Sequence, residues 1–239
     1  VATERLAKLA KASGVQRFIF ASSCSIYNQF PKNTILHDEL SRVDPQEHYS
    51  RSKYLAEQAI LPLNDNNFTV VALRKGTVVG SSPRMRFDLV VNTMVKTAFT
   101  LGKIVVYDGS QYRPLIDVQD AVAAYLAVLT APKEKVAGQI FNVLQKNYLI
   151  KPLADSVATS LHKLQRLRFP VEVQTDVKDR SYRVETSKFR QAVGFVPQNS
   201  MADSVKSLVN FIAKRPKLNL SHPKYYNIQR MKQVIRGKR

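Results

Sequence analysis

The sequence predicts an α/β fold in which helices flank a parallel sheet. Helical and strand patterns alternate along the chain, and such alternation is typical of parallel strands joined by crossover helices. The strand patterns are short apolar runs, as expected for strands buried on both faces. With 239 residues, of which 44% are hydrophobic, the chain is long enough to bury a sizeable core. These observations exclude a disordered tail.

The first part of the chain repeats the order helix, then strand. Leu6, Leu9 and Ala10 lie at helical spacing, and Gly14 is a stop signal for that helix. Pro62 ends a second helix, which a buried strand follows. The predicted elements are a helix over 1–12, a strand over 17–21, a helix over 49–61 and a strand over 69–74.

The second part continues the alternation with shorter elements. Gly102 closes one helix, and Asp117 and Asp120 occupy the N-cap and N3 positions of the next. Ser200 is the expected N-cap of the last helix. The predicted elements are a helix over 87–101, a strand over 104–107, a helix from about 117, a strand over 138–143, a helix over 153–164, a strand over 171–174 and a helix over 201–213.

The chain is strongly basic. Its 37 Lys and Arg outnumber 18 Asp and Glu, which gives a net charge of +19. Residues 201–239 contribute +9 of this, from ten basic residues and one acidic residue. The excess favours anionic ligands, whether a dinucleotide, a nucleotide sugar or nucleic acid, and does not distinguish among them.

Other features of the composition exclude several classes of site. The single cysteine, Cys24, allows neither an intrachain disulfide nor a thiolate zinc cluster, and a reducing compartment is expected. The four histidines lack the spacing of metal ligands, so no metal site is predicted. Apolar runs fall short of the roughly 20 residues that span a bilayer, and residues 1–16 do not resemble a secretory signal.

The candidate acid/base residues lie within residues 18–53. Tyr49 precedes Lys53 by four residues at the start of a helix, so both side chains share one helical face. There the ammonium can lower the pKa of the phenol, which prepares a general acid/base. Serines at the end of the neighbouring strand could hold a substrate oxygen beside that phenol.

These residues belong to an ordered set of motifs that covers nearly the whole chain. The motifs are Ser22-Ser23-Cys24-Ser25-Ile26-Tyr27, Tyr49-x-x-x-Lys53, the segments 73–80, 82–92 and 108–114, Phe141-Asn142-Val143, and the segment 180–184. In this order they resemble the extended short-chain dehydrogenases/reductases, in the branch of NAD-dependent epimerases and dehydratases of nucleotide sugars. The resemblance implies the C-terminal portion of a Rossmann-like, doubly wound parallel sheet with a smaller substrate-binding region.

The resemblance also implies roles for individual residues. Tyr49 would be the catalytic acid/base, Lys53 would hold the nicotinamide ribose, and Ser23 would bind the sugar oxygen being oxidised. For the remaining positions the resemblance implies cofactor contact by Gly76, and substrate or nucleotide contact by Thr77, Asn92, Arg113, Arg180 and Tyr182. Relatives often carry asparagine at the position of Thr77 and histidine at that of Asp117, to which only a capping role is assigned.

Three serines compete for the catalytic role. Spacing to Ile26 matches Ser23 to the family's position, while Cys24 and Ser25 occupy the places of the acid and base that eliminate water in dehydratases of this family. This favours an epimerase or a 4-keto reductase over a 4,6-dehydratase. With no histidine nearby in sequence, Cys24 is read as a packing residue.

The family's glycine-rich turn, which binds the dinucleotide, is not in this sequence. The resemblance places residue 1 in the helix before the fourth strand, so we expect the sequence to be part of a longer enzyme. The strand at 18–21 would otherwise present an unpaired edge that favours aggregation or a partner. The expected organisation is a partial Rossmann domain over 1–81, a substrate-binding region over 82–215 interleaved with the last Rossmann elements at about 117–143, and a basic tail over 216–239.

The resemblance predicts a cytoplasmic enzyme that uses NAD, or NADP, to epimerise or reduce a nucleotide-diphosphate sugar. A homodimer formed through the helices at 1–12 and 49–61 is expected, with no membrane partner. The alternative is a non-catalytic basic scaffold, associated with RNA and built on a retired dehydrogenase fold. Its support is the charge and the missing cofactor loop, whereas Ser23, Tyr49 and Lys53 favour the enzyme.

Overall fold

The computed structural model describes residues 2–27, 35–43, 45–175 and 181–236. Its helices are α1 (Ala2–Ala12), α2 (His48–Ile60), α3 (Val90–Leu101), α4 (Val118–Thr130), α5 (Lys133–Val136), α6 (Ile150–Gln165), α7 (Ser187–Val193), α8 (Met201–Ala213) and α9 (Asn227–Arg236). Its strands are β1 (Arg17–Ser23), β2 (Leu36–His37), β3 (Thr69–Lys75), β4 (Thr77–Val79), β5 (Ile104–Tyr107), β6 (Tyr112–Asp117), β7 (Ile140–Val143), β8 (Lys146–Leu149), β9 (Val171–Gln174) and β10 (Arg183–Val184).

The chain forms two compact units. The first contains residues 1–77, 111–147 and 180–198, and the second contains 78–110, 148–179 and 199–239. In the first unit a parallel sheet has the strand order β1-β3-β7, with Ala21 opposite Leu73 and Leu73 opposite Phe141. The α/β class with a parallel sheet is therefore confirmed, and among the described residues β1 pairs on one side alone.

One face of this sheet packs against α1 and α2. Phe20, Val70 and Ala72 point to that face and meet Ala7 of α1 and Ile60 of α2 in a common apolar cluster. Because side chains alternate along a strand, the same face carries Ser22 and Arg74 at its carboxyl end. The apolar packing therefore continues into a polar group close to the predicted catalytic residues.

This polar group contains a buried ion pair between Arg74 of β3 and Glu57 of α2. The Arg74 guanidinium donates to both carboxylate oxygens of Glu57, with the Nη2–Oε2 distance at 2.6 Å, and their side chains are 4% and 0% exposed. Ser22 Oγ also donates to Glu57, and Arg74 Nη1 donates to the Tyr27 hydroxyl at 2.7 Å. That hydroxyl donates to Asn142 Oδ1 at 2.9 Å. The network ties α2 to all three strands of the sheet.

The second unit packs α3, α6 and α8 together, with β5 and β9 paired in parallel beside them. Met94, Val157 and Leu208 are among its fully buried side chains. Gly102 ends α3 in the left-handed conformation, at φ 67°, which glycine adopts without strain. No helix among the described residues has the length and apolarity to cross a bilayer.

Most predicted elements are confirmed, with three kinds of difference. The helix predicted from residue 87 begins at Val90, after an extended N-cap at Leu89. The short strands β2, β4, β6, β8 and β10 and the helices α5 and α7 were not predicted. The expected basic tail contains the helix α9, which begins at Asn227. The expected domain limits stay a prediction.

We expect Glu57→Gln to lower the free energy of unfolding by about 3–5 kcal/mol, because the Arg74 charge would stay buried without its partner. Urea unfolding of the variant and the wild type measures this. The matched control is Glu4→Gln, which removes an exposed carboxylate paired with Lys8 in α1 and should change stability little. Equal losses in the two variants would contradict the assigned role of the buried pair.

Candidate functional site

The first turns of α2 bring Tyr49 and Lys53 together. The Tyr49 side chain is 56% exposed, and Lys53 Nζ lies 5.6 Å from the centroid of its ring. Lys53 Nζ also donates to the Ala21 carbonyl of β1 at 2.8 Å and lies 5.0 Å from the Phe20 ring. Burial lowers the pKa of Lys53. The ammonium thus links the helix that carries the phenol to the strand that carries the serines.

The four polar residues after Ala21 have different surroundings. Ser22 is buried and donates to Glu57, so its hydroxyl belongs to the ion-pair network. Cys24 is fully buried, its Sγ donates to the Arg74 carbonyl at 2.9 Å, and burial raises its pKa above the usual range, as expected for a packing residue. The Ser25 hydroxyl oxygen is buried without a hydrogen-bond partner in the described structure.

Ser23 is half-buried at the carboxyl end of β1. Its Oγ accepts a hydrogen bond from the Ser25 amide at 3.2 Å, an acceptor role that leaves its own proton available to donate. Of the three candidate serines it therefore has the surroundings best suited to holding a substrate oxygen. Its catalytic role stays a prediction.

Lys75, which was not predicted as a site residue, lies beside these residues. Lys75 ends β3 directly opposite Ser23, and its Nζ donates to the Tyr125 hydroxyl at 2.6 Å and to the Ser22 carbonyl at 3.4 Å. Burial, together with the charge of Lys53, lowers the pKa of Lys75 to about 8. Burial also raises the pKa of Tyr125 to about 12, and the nearby Tyr49 adds to this shift.

Tyr49, Lys53, Lys75 and Tyr125 therefore form one group of two amines and two phenols. The contacts of Lys75 in the described structure include a neutral hydroxyl and a carbonyl but no carboxylate. The sequence signal that could have found it is a lysine at the end of an otherwise buried strand. Its partner Tyr125 comes from α4, and sequence spacing alone does not place these residues together.

Gly76 and Thr77 follow β3 directly. The Gly76 amide donates to the Val143 carbonyl at 2.9 Å, and a Cβ at residue 76 would lie 2.7 Å from the Pro114 carbonyl oxygen. Close backbone packing therefore requires glycine here. Thr77 is half-buried at the start of β4. The cofactor contact of Gly76 and the substrate contact of Thr77 stay predictions.

Arg113 and Tyr182 are brought together, as two residues predicted to contact the nucleotide. The Arg113 guanidinium carbon lies 5.7 Å from the Tyr182 ring centroid, and both residues are largely buried. Hydrogen bonds to the Tyr112 backbone hold the segment, because the Tyr112 amide donates to Ser181 Oγ at 3.0 Å and the Tyr112 carbonyl accepts from the Tyr182 amide at 3.4 Å. Arg180, predicted for the same role, lies outside the described residues.

Asn92 lies in the second unit and is buried. Its side-chain amide donates to the Arg86 carbonyl at 2.8 Å and accepts from the Gly80 amide at 3.2 Å, so it closes the loop before α3. This accounts for its position without a ligand, and its predicted substrate contact stays a prediction. Asp117 caps α4 as predicted, accepting from the Gln119 amide at 2.7 Å. The described residues hold no group of three potential metal ligands.

The pKa of Lys75 predicts a pH-dependent stability difference between the wild type and Lys75→Met. Between the folded value of about 8 and the ordinary value of 10.5, the unfolded chain binds more protons at this lysine than the folded chain does. The free energy of unfolding contributed by Lys75 therefore rises with pH across that window.

Urea unfolding from pH 8 to 10.5 should show the wild type gaining stability relative to Lys75→Met. The control is Lys75→Arg, whose guanidinium stays charged over the whole range and should lack the gain as well. Parallel pH profiles for the wild type and both variants would show that Lys75 does not titrate in this window.

Comparisons with known proteins agree with this fold. An uncharacterised UDP-glucose epimerase of Bacillus subtilis is 25% identical over 223 residues, which cover 89% of this chain and 65% of the relative. The chain thus spans just under two thirds of that protein's length. Among solved structures, UDP-glucuronic acid 4-epimerase from Bacillus cereus, in complex with UDP-glucuronic acid and NAD, matches with a TM-score of 0.74 and 21% identity, over 89% of this chain and 66% of that one.

A second solved structure, RMD from Pseudomonas aeruginosa complexed with NADPH, matches with a TM-score of 0.74 and 22% identity, over 89% of this chain and 72% of that one. At these identities the structures establish the Rossmann-like fold. Residues 1–143, more than half of the chain, match the family model described as the NAD dependent epimerase/dehydratase family. The resemblance read from the sequence motifs is therefore confirmed, and this chain belongs to the NAD-dependent epimerase/dehydratase family.

Proposed function

We propose that this chain supplies the acid/base half of an enzyme that transfers hydride at a hexose carbon of a nucleotide-diphosphate sugar, as an epimerase or a 4-keto reductase. The observation that carries the proposal is the position of Lys53 Nζ, between the Tyr49 ring and the Ala21 carbonyl of the strand that ends at Ser23. Matches to a UDP-glucose epimerase and to structures holding NAD or NADPH support it.

The proposed cofactor is NAD, with NADP as the alternative. Residues of this chain suit its nicotinamide ribose. Lys53 Nζ has three donors and uses one on Ala21, which leaves two for the hydroxyls of a nicotinamide ribose. The exposed Tyr49 ring lies beside that ammonium. When bound, the dinucleotide supplies the acceptor or donor of hydride.

In the proposed mechanism Tyr49 moves the proton. Ser23 holds the sugar hydroxyl by donating a hydrogen bond, and the Tyr49 phenolate accepts the hydroxyl proton as the carbonyl forms. Lys53 stabilises the phenolate by its charge. In the reverse direction Tyr49 returns the proton to the carbonyl oxygen. An epimerase reduces the other face of the turned sugar, whereas a reductase releases the product of a single reduction.

The surroundings of Cys24 bear on the choice between reactions. Dehydratases of this family need an acid and a base at the positions of Cys24 and Ser25. Here the thiol is buried with a raised pKa, and the Ser25 hydroxyl oxygen is buried. Neither group can exchange protons readily with a substrate. These surroundings support epimerisation or reduction rather than elimination of water. Arg113 and Tyr182 are proposed to bind the nucleotide diphosphate of the sugar.

We expect Tyr49→Phe in the full protein to lower kcat by about 10²–10⁴-fold, because it removes the proton-transfer group. Dinucleotide affinity should change little, since Lys53 remains. Steady-state kinetics on UDP-sugars and GDP-linked 4-keto sugars, with fluorescence titration of NADH, measure the two quantities. Tyr54→Phe, the same chemical change five residues further along α2, is the control and should keep wild-type turnover.

The alternative function, a basic scaffold without catalysis, predicts a different pattern. Tyr49→Phe would then alter no activity, the full protein would bind neither NAD(H) nor nucleotide diphosphates, and RNA binding would fall steeply with added salt. The net charge of +19 is the observation that favours it. Saturable NADH binding together with loss of turnover in Tyr49→Phe would exclude it.

A further inference from the structure

In the part of the chain that the structure describes, the helix α9 is anchored to the second unit at its start. The Asn227 amide donates to Asp88 Oδ2 at 3.2 Å, the Tyr226 hydroxyl accepts from Lys96 Nζ at 3.1 Å, and Tyr225 packs edge-on against Phe87. Beyond this anchor no residue of α9 is buried. The ten-residue helix therefore begins at a fixed point and presents its length to solvent.

The apolar side chains of α9 lie on one side of it. Ile228, Met231, Val234 and Ile235 are 72%, 57%, 38% and 55% exposed. At 100° per residue they fall within an arc of about 120°. This arrangement is typical of a helix that buries one face, but the described structure contains nothing that covers this face.

Basic side chains border the apolar arc. On the helical projection Arg230 lies beyond one edge of the arc and Lys232 beyond the other, while Arg236 lies further round on the polar face. The wider segment has the same sign, because residues 204–239 contain ten Lys and Arg and no Asp or Glu. A partner that covers the arc must therefore carry negative charge along both of its borders.

We propose that α9 binds the surface of an anionic phospholipid bilayer, with its apolar arc among the upper acyl chains and its basic borders on the lipid phosphates. An anionic bilayer offers both an apolar layer and a dense array of negative charge, and amphipathic helices with basic borders lie in that interface. The helix would lie on the membrane and not cross it. This inference stands apart from the proposed catalysis and revises the expectation of no membrane partner.

Other occupants fit the helix less well. Nucleic acid offers phosphates for the basic borders but no continuous apolar layer for four exposed aliphatic side chains. A second copy of this chain would bring a second basic segment of the same sign to the same place, and like charges oppose that contact. An apolar arc with basic residues on both borders therefore fits an anionic bilayer better than it fits nucleic acid or a second copy of this chain.

The absence of tryptophan from this chain provides a direct test. In Met231→Trp the indole, as the one tryptophan among these 239 residues, reports from the centre of the arc. Adding vesicles of phosphatidylcholine with phosphatidylglycerol should shift its emission to the blue, and vesicles of phosphatidylcholine alone should not. The partition should weaken at least about ten-fold as salt rises from low to high concentration, because screening removes the attraction of the basic borders. An unchanged emission with the anionic vesicles would overturn the proposal.

Co-sedimentation with the same vesicles separates the roles of the arc and the charge. The double variant M231D/I235D should lose at least about ten-fold in partition, because it places charge in the apolar face. Leu40→Asp, at a residue 92% exposed in the first unit, is the matched control and should bind as the wild type does. The variant R230Q/K232Q should bind more weakly and with less dependence on salt.

Two results would assign the helix to another partner and overturn the proposal. One is RNA binding that R230Q/K232Q weakens and M231D/I235D leaves intact, without vesicle binding. The other is a dimer, seen by analytical ultracentrifugation, that M231D/I235D dissociates. Circular dichroism of each variant verifies that it is folded, so that loss of vesicle binding reports on the helix surface.

Discussion

The ion pair between Arg74 and Glu57 is the constraint on which the site depends. A carboxylate and a guanidinium that are both removed from water must satisfy each other and their remaining hydrogen bonds. Glu57 belongs to α2, and Arg74 belongs to β3. Because Ser22 also binds Glu57, the pair fixes α2 against β1 as well. The phenol and ammonium at the start of α2 thereby acquire a defined place beside the end of β1.

Two neighbouring cations at the end of β3, the buried Arg74 and the half-buried Lys75, differ in their partners. Arg74 has a carboxylate partner and stays charged as a structural group. Its neighbour Lys75 faces the opposite side of the sheet and meets the neutral phenol of Tyr125. A neutral partner does not hold a proton on the amine, so the charge of Lys75 responds to nearby ligands and to pH. The sheet thus carries a fixed charge on one face and an adjustable charge on the other, next to Ser23.

The sequence allowed the main architecture and part of the site to be predicted. Helical spacing of apolar residues and short apolar runs located α1, α2, β1 and β3, although Leu6 and Leu9, which marked α1, are exposed in the structure. The four-residue spacing also placed Tyr49 and Lys53 on one face, where the structure has them. The strands β2, β4 and β10 could not be predicted, since two or three residues carry too little periodicity, and β6 and β8 lack the apolar runs that marked the predicted strands. Lys75 with Tyr125 was missed because 50 residues separate them in the chain, and α9 was missed because basic residues interrupt its apolar positions.

The close backbone packing at Gly76 limits what a substitution at this residue can show about the site. Its Cα faces the Pro114 carbonyl so closely that even a methyl group would displace one backbone from another. Any substitution there would first push the backbone after β3 away from β6, which carries Pro114, and would move Lys75 and Thr77 with it. Inactivity of such a variant would therefore reflect altered sheet geometry rather than a lost ligand contact.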